Sequence, residues 1–171
     1  YGVSVLNDCK YGHSVKNGCV SLTLIKSGIE PNKTTDQEEH FFTYSLYPHE
    51  GSLYDGDTIR EGYKLNYPSH VVLAGAPKEQ DSFLWTDRKN VIVETVKMAE
   101  DKNGIIIRLY ESENTKSTAT LTFGMDNRLL MVTECNLMEE PVEGEVEKTE
   151  AGFTFTIKPF EVKTYRVNLD K

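Results

Sequence analysis

Alternation of apolar and polar residues is the strongest constraint on how this chain folds. In Phe153–Ile157, aromatic and aliphatic side chains occupy every second position and threonines occupy the positions between them. Because successive side chains of a strand point to opposite faces, this spacing predicts a half-buried antiparallel strand. Similar short runs, rich in β-branched and aromatic residues, recur at residues 2–6, 20–25, 40–47, 91–96, 105–110, 119–123, 129–133 and 162–169.

Turn sequences separate several of these runs. Asn17-Gly18 and Asn103-Gly104 each lie between two predicted strands, and Asn-Gly is a strong hairpin signal because both residues tolerate positive φ. Residues 124–127 and 150–152 are predicted to close two further hairpins. The best helical segment runs from Asp57, as its N-cap, to about Asn66. Strands dominate, so the sequence predicts an all-β fold.

A polar segment that contains Pro and Gly, at residues 75–81, divides the chain. About seven short strands follow it, which is typical of a small immunoglobulin-like β-sandwich. The strands before it suit one part of a larger antiparallel β-sandwich. We therefore assign residues 1–80 to part of a large β-sandwich region and residues 81–171 to a C-terminal immunoglobulin-like β-sandwich. Since the chain opens at Tyr1 directly ahead of a strand, we expect it to be a fragment of a longer protein.

Charge and cysteine content narrow the choice of partner and compartment. The chain has 27 acidic and 19 basic residues, a net charge of −8, so the phosphates of nucleic acid would repel it. No apolar run approaches the roughly 18 residues of a membrane span. Three cysteines leave an odd thiol in any pairing, which favours a reducing, cytoplasmic location. Cys19 and Cys135 lie in or beside apolar runs and are predicted to be core residues. The acidic surface is compatible with a homo-oligomer.

The sequence contains no complete catalytic or metal-binding motif. Its four histidines lack metal-ligand spacing, and there is no Cys-x-x-Cys or Gly-x-Ser-x-Gly sequence. Asp8, Asp55 and Asp57 are the acids most suited to a glycosidase pair. Turn chemistry accounts for Asp55, however, and a helix cap accounts for Asp57. The sequence therefore predicts no catalytic residue and no metal ligand in this chain.

Two stretches have both a structural and a functional interpretation. Aromatic residues at positions 44, 47, 54, 63, 67 and 85 suit sugar stacking, although core packing explains them more simply. The string Asn7–Gly12 is either an ordinary turn or a ligand-facing loop at a strand end. In the second case the candidate contact residues are Asn7, Asp8, Lys10 and Tyr11.

The same string carries a resemblance to a known family. Gly2–Gly12, GVSVLNDCKYG, resembles a segment in the C-terminal β region of glycoside hydrolase family 38 α-mannosidases. Val20–Ile25 resembles the family's LRLSLLRSP segment, and Glu39–His49 resembles its HxFTYALYPH strand. Further matching segments follow in the family's order at residues 91–97, 104–111, 119–123, 134–137 and 158–164.

This resemblance implies a place within a much longer enzyme. In the family, an N-terminal β/α barrel supplies the zinc ligands, the aspartate nucleophile and the acid/base residue for retaining hydrolysis of α-mannosides. A large β-sandwich of the galactose-mutarotase-like type (a supersandwich) and smaller β domains follow the barrel. The chain is thus expected to be an accessory portion, inactive alone, that supports the barrel and partly walls its active site. Asn7, Asp8, Lys10 and Tyr11 then lie near substrate or barrel.

Two other classes of function remain open at this point. A free-standing carbohydrate-binding module would use the Tyr-rich stretch at residues 44–67. A scaffold or adhesion β-sandwich would make no sugar contact at all.

Overall fold

The chain divides into two compact units, Tyr1–Leu73 and Ala74–Lys171. The computed structural model describes residues 1–71, 73, 82–124 and 128–170. The predicted boundary between residues 80 and 81 lies outside these described residues and stays a prediction. We refer to the two parts as unit 1 and unit 2.

Unit 1 contains four short strands and one helix: β1 (Gly2–Asn7), β2 (His13–Lys16), β3 (Cys19–Leu22), β4 (Tyr44–His49) and α1 (Thr58–Asn66). β1 pairs antiparallel with β4, from Gly2 opposite His49 to Asn7 opposite Tyr44. β2 and β3 form a hairpin in which Lys16 faces Cys19 across the turn. Asn17 and Gly18 form that turn with φ of 52° and 75°, as the Asn-Gly signal predicts.

Two strands of unit 1 are shorter than their sequence patterns suggest. β3 ends at Leu22 because its partner β2 begins at His13, and these two residues form the last pair. The predicted strand at residues 40–47 begins only at Tyr44. The amide of the preceding residue, Thr43, donates to the Asp8 carboxylate instead of to a neighbouring strand.

The helix α1 begins where the sequence predicts, but the backbone of its N-cap residue has an unusual conformation. Asp57 is the N-cap residue, yet it has a left-handed backbone with φ of 53° and makes no side-chain capping hydrogen bond. Its carboxylate instead lies 3.5 Å from the Nε atom of Arg60. The prediction that Asp57 is the N-cap residue is therefore confirmed, but its left-handed backbone replaces the extended conformation from which a capping side chain accepts an amide proton.

Unit 2 is an antiparallel β-sandwich of two four-stranded sheets, which confirms the all-β prediction. One sheet has the order β10-β11-β8-β5 and the other β6-β7-β12-β9. The strands are β5 (Leu84–Thr86), β6 (Val91–Met98), β7 (Ile105–Glu111), β8 (Ser117–Phe123), β9 (Arg128–Cys135), β10 (Val146–Lys148), β11 (Gly152–Ile157) and β12 (Val162–Asp170). β8 and β9 lie in different sheets, so the hairpin predicted at residues 124–127, of which 125–127 are outside the described residues, is wrong.

Alternating residues of both sheets form the core of unit 2. On β11, Phe153, Phe155 and Ile157 are buried, as the sequence pattern predicts. The Tyr165 ring of the opposite sheet packs between the two phenylalanines, with ring centroids 4.8 Å from Phe153 and 5.2 Å from Phe155. Burial of each such ring contributes about 1.5–3 kcal/mol, so this aromatic group is a main source of the unit's stability.

A buried carboxylate joins three loops at one end of the sandwich. Glu111 is fully buried at the end of β7. Its Oε1 accepts hydrogen bonds from Asn90 Nδ2 (2.8 Å) and the Glu113 amide (2.7 Å), and its Oε2 accepts one from the Phe160 amide (3.0 Å). Burial acts to raise the pKa of Glu111, but these hydrogen bonds outweigh it and leave the pKa below its ordinary value.

We predict that Glu111→Gln destabilises the chain by about 2 kcal/mol at neutral pH, because one amide donor then faces another donor. Since the pKa is lowered on folding, the carboxylate contributes its stability above the unfolded pKa and loses it as pH falls through the folded pKa. The free energies of unfolding of wild type and variant, measured in urea, should therefore differ at neutral pH and converge in acid. Glu113→Gln is the control, since Glu113 joins this group through its backbone.

The Tyr165 hydroxyl gives a second prediction. It is buried, and no acceptor among the described residues receives its proton. Tyr165→Phe should keep or raise the free energy of unfolding, by up to about 1 kcal/mol, because an unpaired buried hydroxyl is costly. Tyr165→Leu should lower it by about 2 kcal/mol through lost ring packing. A clear destabilisation of Tyr165→Phe in denaturant unfolding would contradict this account.

Candidate functional site

The candidate loop of unit 1 follows β1 and is held by Asp8. The Asp8 carboxylate accepts the Thr43 amide proton at 2.9 and 3.0 Å, and the Asp8 amide donates to the Thr43 carbonyl at 3.2 Å. These bonds tie the loop to the residue that precedes β4. The hydrogen bond from the Thr43 backbone, followed by one from Cys9, holds the pKa of Asp8 below its ordinary value. Asp8 therefore stays an acceptor and positions the loop.

Lys10 is held by two aromatic residues. Its Nζ lies 3.2 Å from His40 Nδ1 and 5.5 Å from the centroid of the Phe42 ring. Because an ammonium group only donates, Nδ1 must accept and Nε2 carries the ring proton. His40 Nε2 lies 3.2 Å from the Asp36 carbonyl, which accepts that proton. The neutral imidazole thus leaves the positive charge of Lys10 unneutralised within this contact.

Asn7 and Tyr11 provide the polar groups of the loop that are least committed. The Asn7 carbonyl accepts from Asn66 Nδ2 at 3.1 Å, which joins the loop to the end of α1. Asn7 Oδ1 is buried and has no donor among the described residues. Tyr11 is 78% exposed, and its hydroxyl is 3.5 Å from the Asp8 carbonyl. The loop therefore offers a ligand one cation and one open aromatic ring, while Asn7 Oδ1 is shielded from it.

The sequence interpretation missed the partners that shape this loop. His40, Phe42 and Thr43 lie more than 25 positions from the loop, and their pattern suggested an ordinary strand. The only signal was their place just ahead of a strand that pairs with β1. Antiparallel pairing brings the entrance of β4 beside the exit of β1, where the loop begins.

The other candidate residues are engaged in local structure. Asp55 Oδ2 accepts from the Ser52 amide at 2.9 Å and from its hydroxyl at 2.7 Å, which is the predicted turn chemistry. Tyr63 and Tyr67 stack along α1 with ring centroids 5.9 Å apart, whereas Trp85 belongs to unit 2. Across residues 1–71, 73, 82–124 and 128–170, no group of three or more His, Cys, Asp or Glu side chains is arranged to hold a metal.

The three cysteines occupy different environments. Cys9 and Cys19 are exposed and Cys135 is buried, and all three are free thiols. The prediction that Cys19 is a core residue is wrong, because nearly every residue of the β2–β3 hairpin strands is exposed and no described residue buries this thiol. The prediction for Cys135 is confirmed.

Two family models match the chain. Residues 1–34, which include the loop, match the model described as glycosyl hydrolases family 38 C-terminal domain. Residues 90–165, which include most of unit 2, match glycosyl hydrolases family 38 C-terminal beta sandwich domain. The chain belongs to glycosyl hydrolase family 38. Both matches fall in the C-terminal β region of the family, in agreement with the all-β fold.

Relatives within family 38 align with nearly the whole chain. It is 37% identical to Alpha-mannosidase G of Dictyostelium discoideum over 97% of its length, and 33% identical to Alpha-mannosidase 2C1 of Homo sapiens over 95%. It is 28% identical to Alpha-mannosidase of Saccharomyces cerevisiae over 97%. The chain spans 16% of the length of the first two relatives and 17% of the third.

Within the described parts of the chain, α1 has nine residues, and no helix is long and apolar enough to cross a bilayer.

We predict that the rates at which the thiols are labelled reflect the burial of each cysteine and the geometry of the loop. A disulfide-exchange reagent should label Cys9 and Cys19 in the folded chain and reach Cys135 only after unfolding. A hydrogen bond with Asp8 raises the pKa of Cys9, so Asp8→Asn should speed its labelling by increasing the thiolate fraction.

Asp55→Asn is the matched control, because its carboxylate lies in another turn. Mass spectrometry of the labelled peptides assigns each rate to one cysteine. Equal rates of Cys9 labelling in wild type and in Asp8→Asn would contradict the hydrogen bond between Asp8 and Cys9.

Proposed function

We propose that this chain is the C-terminal accessory part of an α-mannosidase, a retaining glycoside hydrolase that removes α-linked mannose from oligosaccharides. In this proposal it packs against the N-terminal catalytic barrel of the same protein and walls one side of the sugar pocket. The observation that carries the proposal is the uneven burial of the two units. All of the buried hydrophobic residues in the described ranges lie between Val91 and Val167, in unit 2.

Unit 1 instead exposes an apolar sheet face. Val3 lies opposite Pro48 and Val5 opposite Leu46, so these four side chains share one face of the β1–β4 sheet. Val3 and Leu46 are each 65% exposed. The other face bears Ser4, whose hydroxyl lies 2.8 Å from that of Thr58 at the start of α1.

A two-stranded sheet with a bare apolar face is marginally stable in water. Its exposed residues contribute little to stability until another surface covers them. Burial then contributes roughly 25 cal/mol per Å² of apolar surface. The relatives extend far beyond the segment that this chain matches. We therefore assign the cover of this face to the preceding regions of the same family 38 protein.

The loop would then line the sugar pocket. Asp8 and Lys10 keep the loop in shape through Thr43 and His40. The exposed ring of Tyr11 is the group that we assign to substrate or barrel, whereas Asn7 Oδ1 is buried within the unit. A preformed wall of this kind orients a substrate for reaction.

The chemistry itself belongs outside this chain. The described residues form no metal-holding cluster, so they do not fit the zinc that the family resemblance implies. We assign the zinc, the nucleophile and the acid/base residue to the barrel. Three free thiols support a cytoplasmic enzyme.

A chimera tests the proposal. This chain would replace the matching segment of the Dictyostelium relative, and hydrolysis of an aryl α-mannoside would be measured. We expect the chimera to be active and the chain alone to be inactive. Lys10→Ala and Tyr11→Ala should each lower kcat/KM by about tenfold, as loss of one positioning contact does.

Lys16→Ala is the control, since Lys16 is an exposed cation of β2. Turnover by the chain alone would overturn the accessory role. Full activity of both loop variants in the chimera would overturn the pocket-wall role and leave the accessory role standing.

A further inference from the structure

A polar cleft in unit 2 has no part in the proposed function. It consists of two adjoining depressions of about 440 and 380 Å³, which share Gly144, Glu145 and Thr156 in their walls. Each falls within the range of roughly 300–1,000 Å³ that is typical of small-molecule sites. The segment that leads into β10 therefore borders one continuous cleft.

Threonine hydroxyls line the first depression. Thr118, Thr154 and Thr156 border it on the outward face of β8 and β11. The Thr118 and Thr156 hydroxyl oxygens are 3.3 Å apart, and Thr154 forms a similar pair with Thr120 at 3.2 Å. Each hydroxyl has one donor and two acceptor positions, so the pairs keep hydrogen-bonding capacity for a ligand.

The second depression has a fixed ionic floor. Lys163 Nζ lies 2.8 and 2.9 Å from the two Glu134 carboxylate oxygens, and these side chains are only 12% and 14% exposed. Gly144 covers the pair closely, since a Cβ atom there would lie 2.2 Å from Glu134 Oε2. Any larger residue at position 144 would displace the floor.

Charged side chains that lack ion-pair partners among the described residues surround the Lys163–Glu134 pair. Lys116, Lys158, Glu143 and Glu145 line the depression, and none of their side chains forms an ion pair within the described part of the chain. Because ammonium groups and carboxylates are interspersed, a ligand with many charges of one sign meets repulsion as well as attraction. The cleft suits a neutral ligand whose groups both donate and accept hydrogen bonds.

We propose that this cleft binds a neutral oligosaccharide. Sugar hydroxyls would donate to Glu143 and Glu145 and accept from Lys116 and Lys158, while the threonine face holds a neighbouring ring. Phe155 borders the first depression, but its ring is buried in the core and gives a sugar no stacking surface, so we expect weak binding, in the millimolar range. The inference does not rest on the proposed function, because the cleft lies within unit 2 and its test measures binding alone.

NMR titration of the ¹⁵N-labelled chain with mannotriose and maltotriose tests the proposal. We expect saturable amide shifts at Gly144, Glu145 and Thr156. Thr156→Val keeps the side-chain shape and should weaken binding by about fivefold, because a hydroxyl contact is lost. Thr156→Ser should retain the affinity.

Thr122→Val is the matched control. Thr122 lies on the same strand and the same outward face as Thr118 but outside the cleft, so its substitution should leave the affinity unchanged. Shifts that never saturate with either sugar would overturn the proposal. Binding that Thr156→Val leaves unchanged, or saturable binding of a mixed Lys/Glu peptide without any response to sugars, would also overturn it.

Discussion

The packing of two alternating sheets against each other is the constraint on which most of this structure depends. In unit 2, Tyr165 of one sheet fits between Phe153 and Phe155 of the other. That contact requires the correct register on β11 and β12, since a shift by one residue would turn threonines inward. The same register places the paired threonines on the outward face of β8 and β11. The core and the polar cleft therefore depend on one arrangement of strands.

Unit 1 has the same alternation, but none of the described residues forms a second layer on its exposed apolar face. Val3 and Leu46 follow the pattern of core residues and nevertheless face solvent. Hydrogen bonds supply its local order instead: Asp8 with Thr43, Lys10 with His40, and Asn7 with Asn66. Such bonds fix local geometry well, but each contributes only about 1 kcal/mol net. This contrast explains why we assign a partner surface to unit 1 and a separate core to unit 2.

Sequence patterns predicted what depends on neighbouring residues and missed what depends on distant ones. The strand at Phe153–Ile157 and the Asn17-Gly18 turn follow from local spacing and backbone preference, and both were predicted correctly. Cys19 was wrongly assigned to the core because alternation does not reveal whether a layer covers the strand. Glu111 was not singled out, because one of its partners, the Phe160 amide, lies 49 positions away. The same limit applies to Lys10, whose partner His40 is 30 positions away.

The open edges of the β1–β4 sheet have a consequence for production of the chain in cells. Within the described residues each of these strands pairs only with the other, so each keeps one row of free amide and carbonyl groups. Beside that row lies an apolar surface, and this combination is a template for pairing between copies. A chain expressed without the region that covers unit 1 would self-associate through these edges, while its sandwich stayed folded. Its solubility would then fall as its concentration rises, and co-expression of the covering region would restore it.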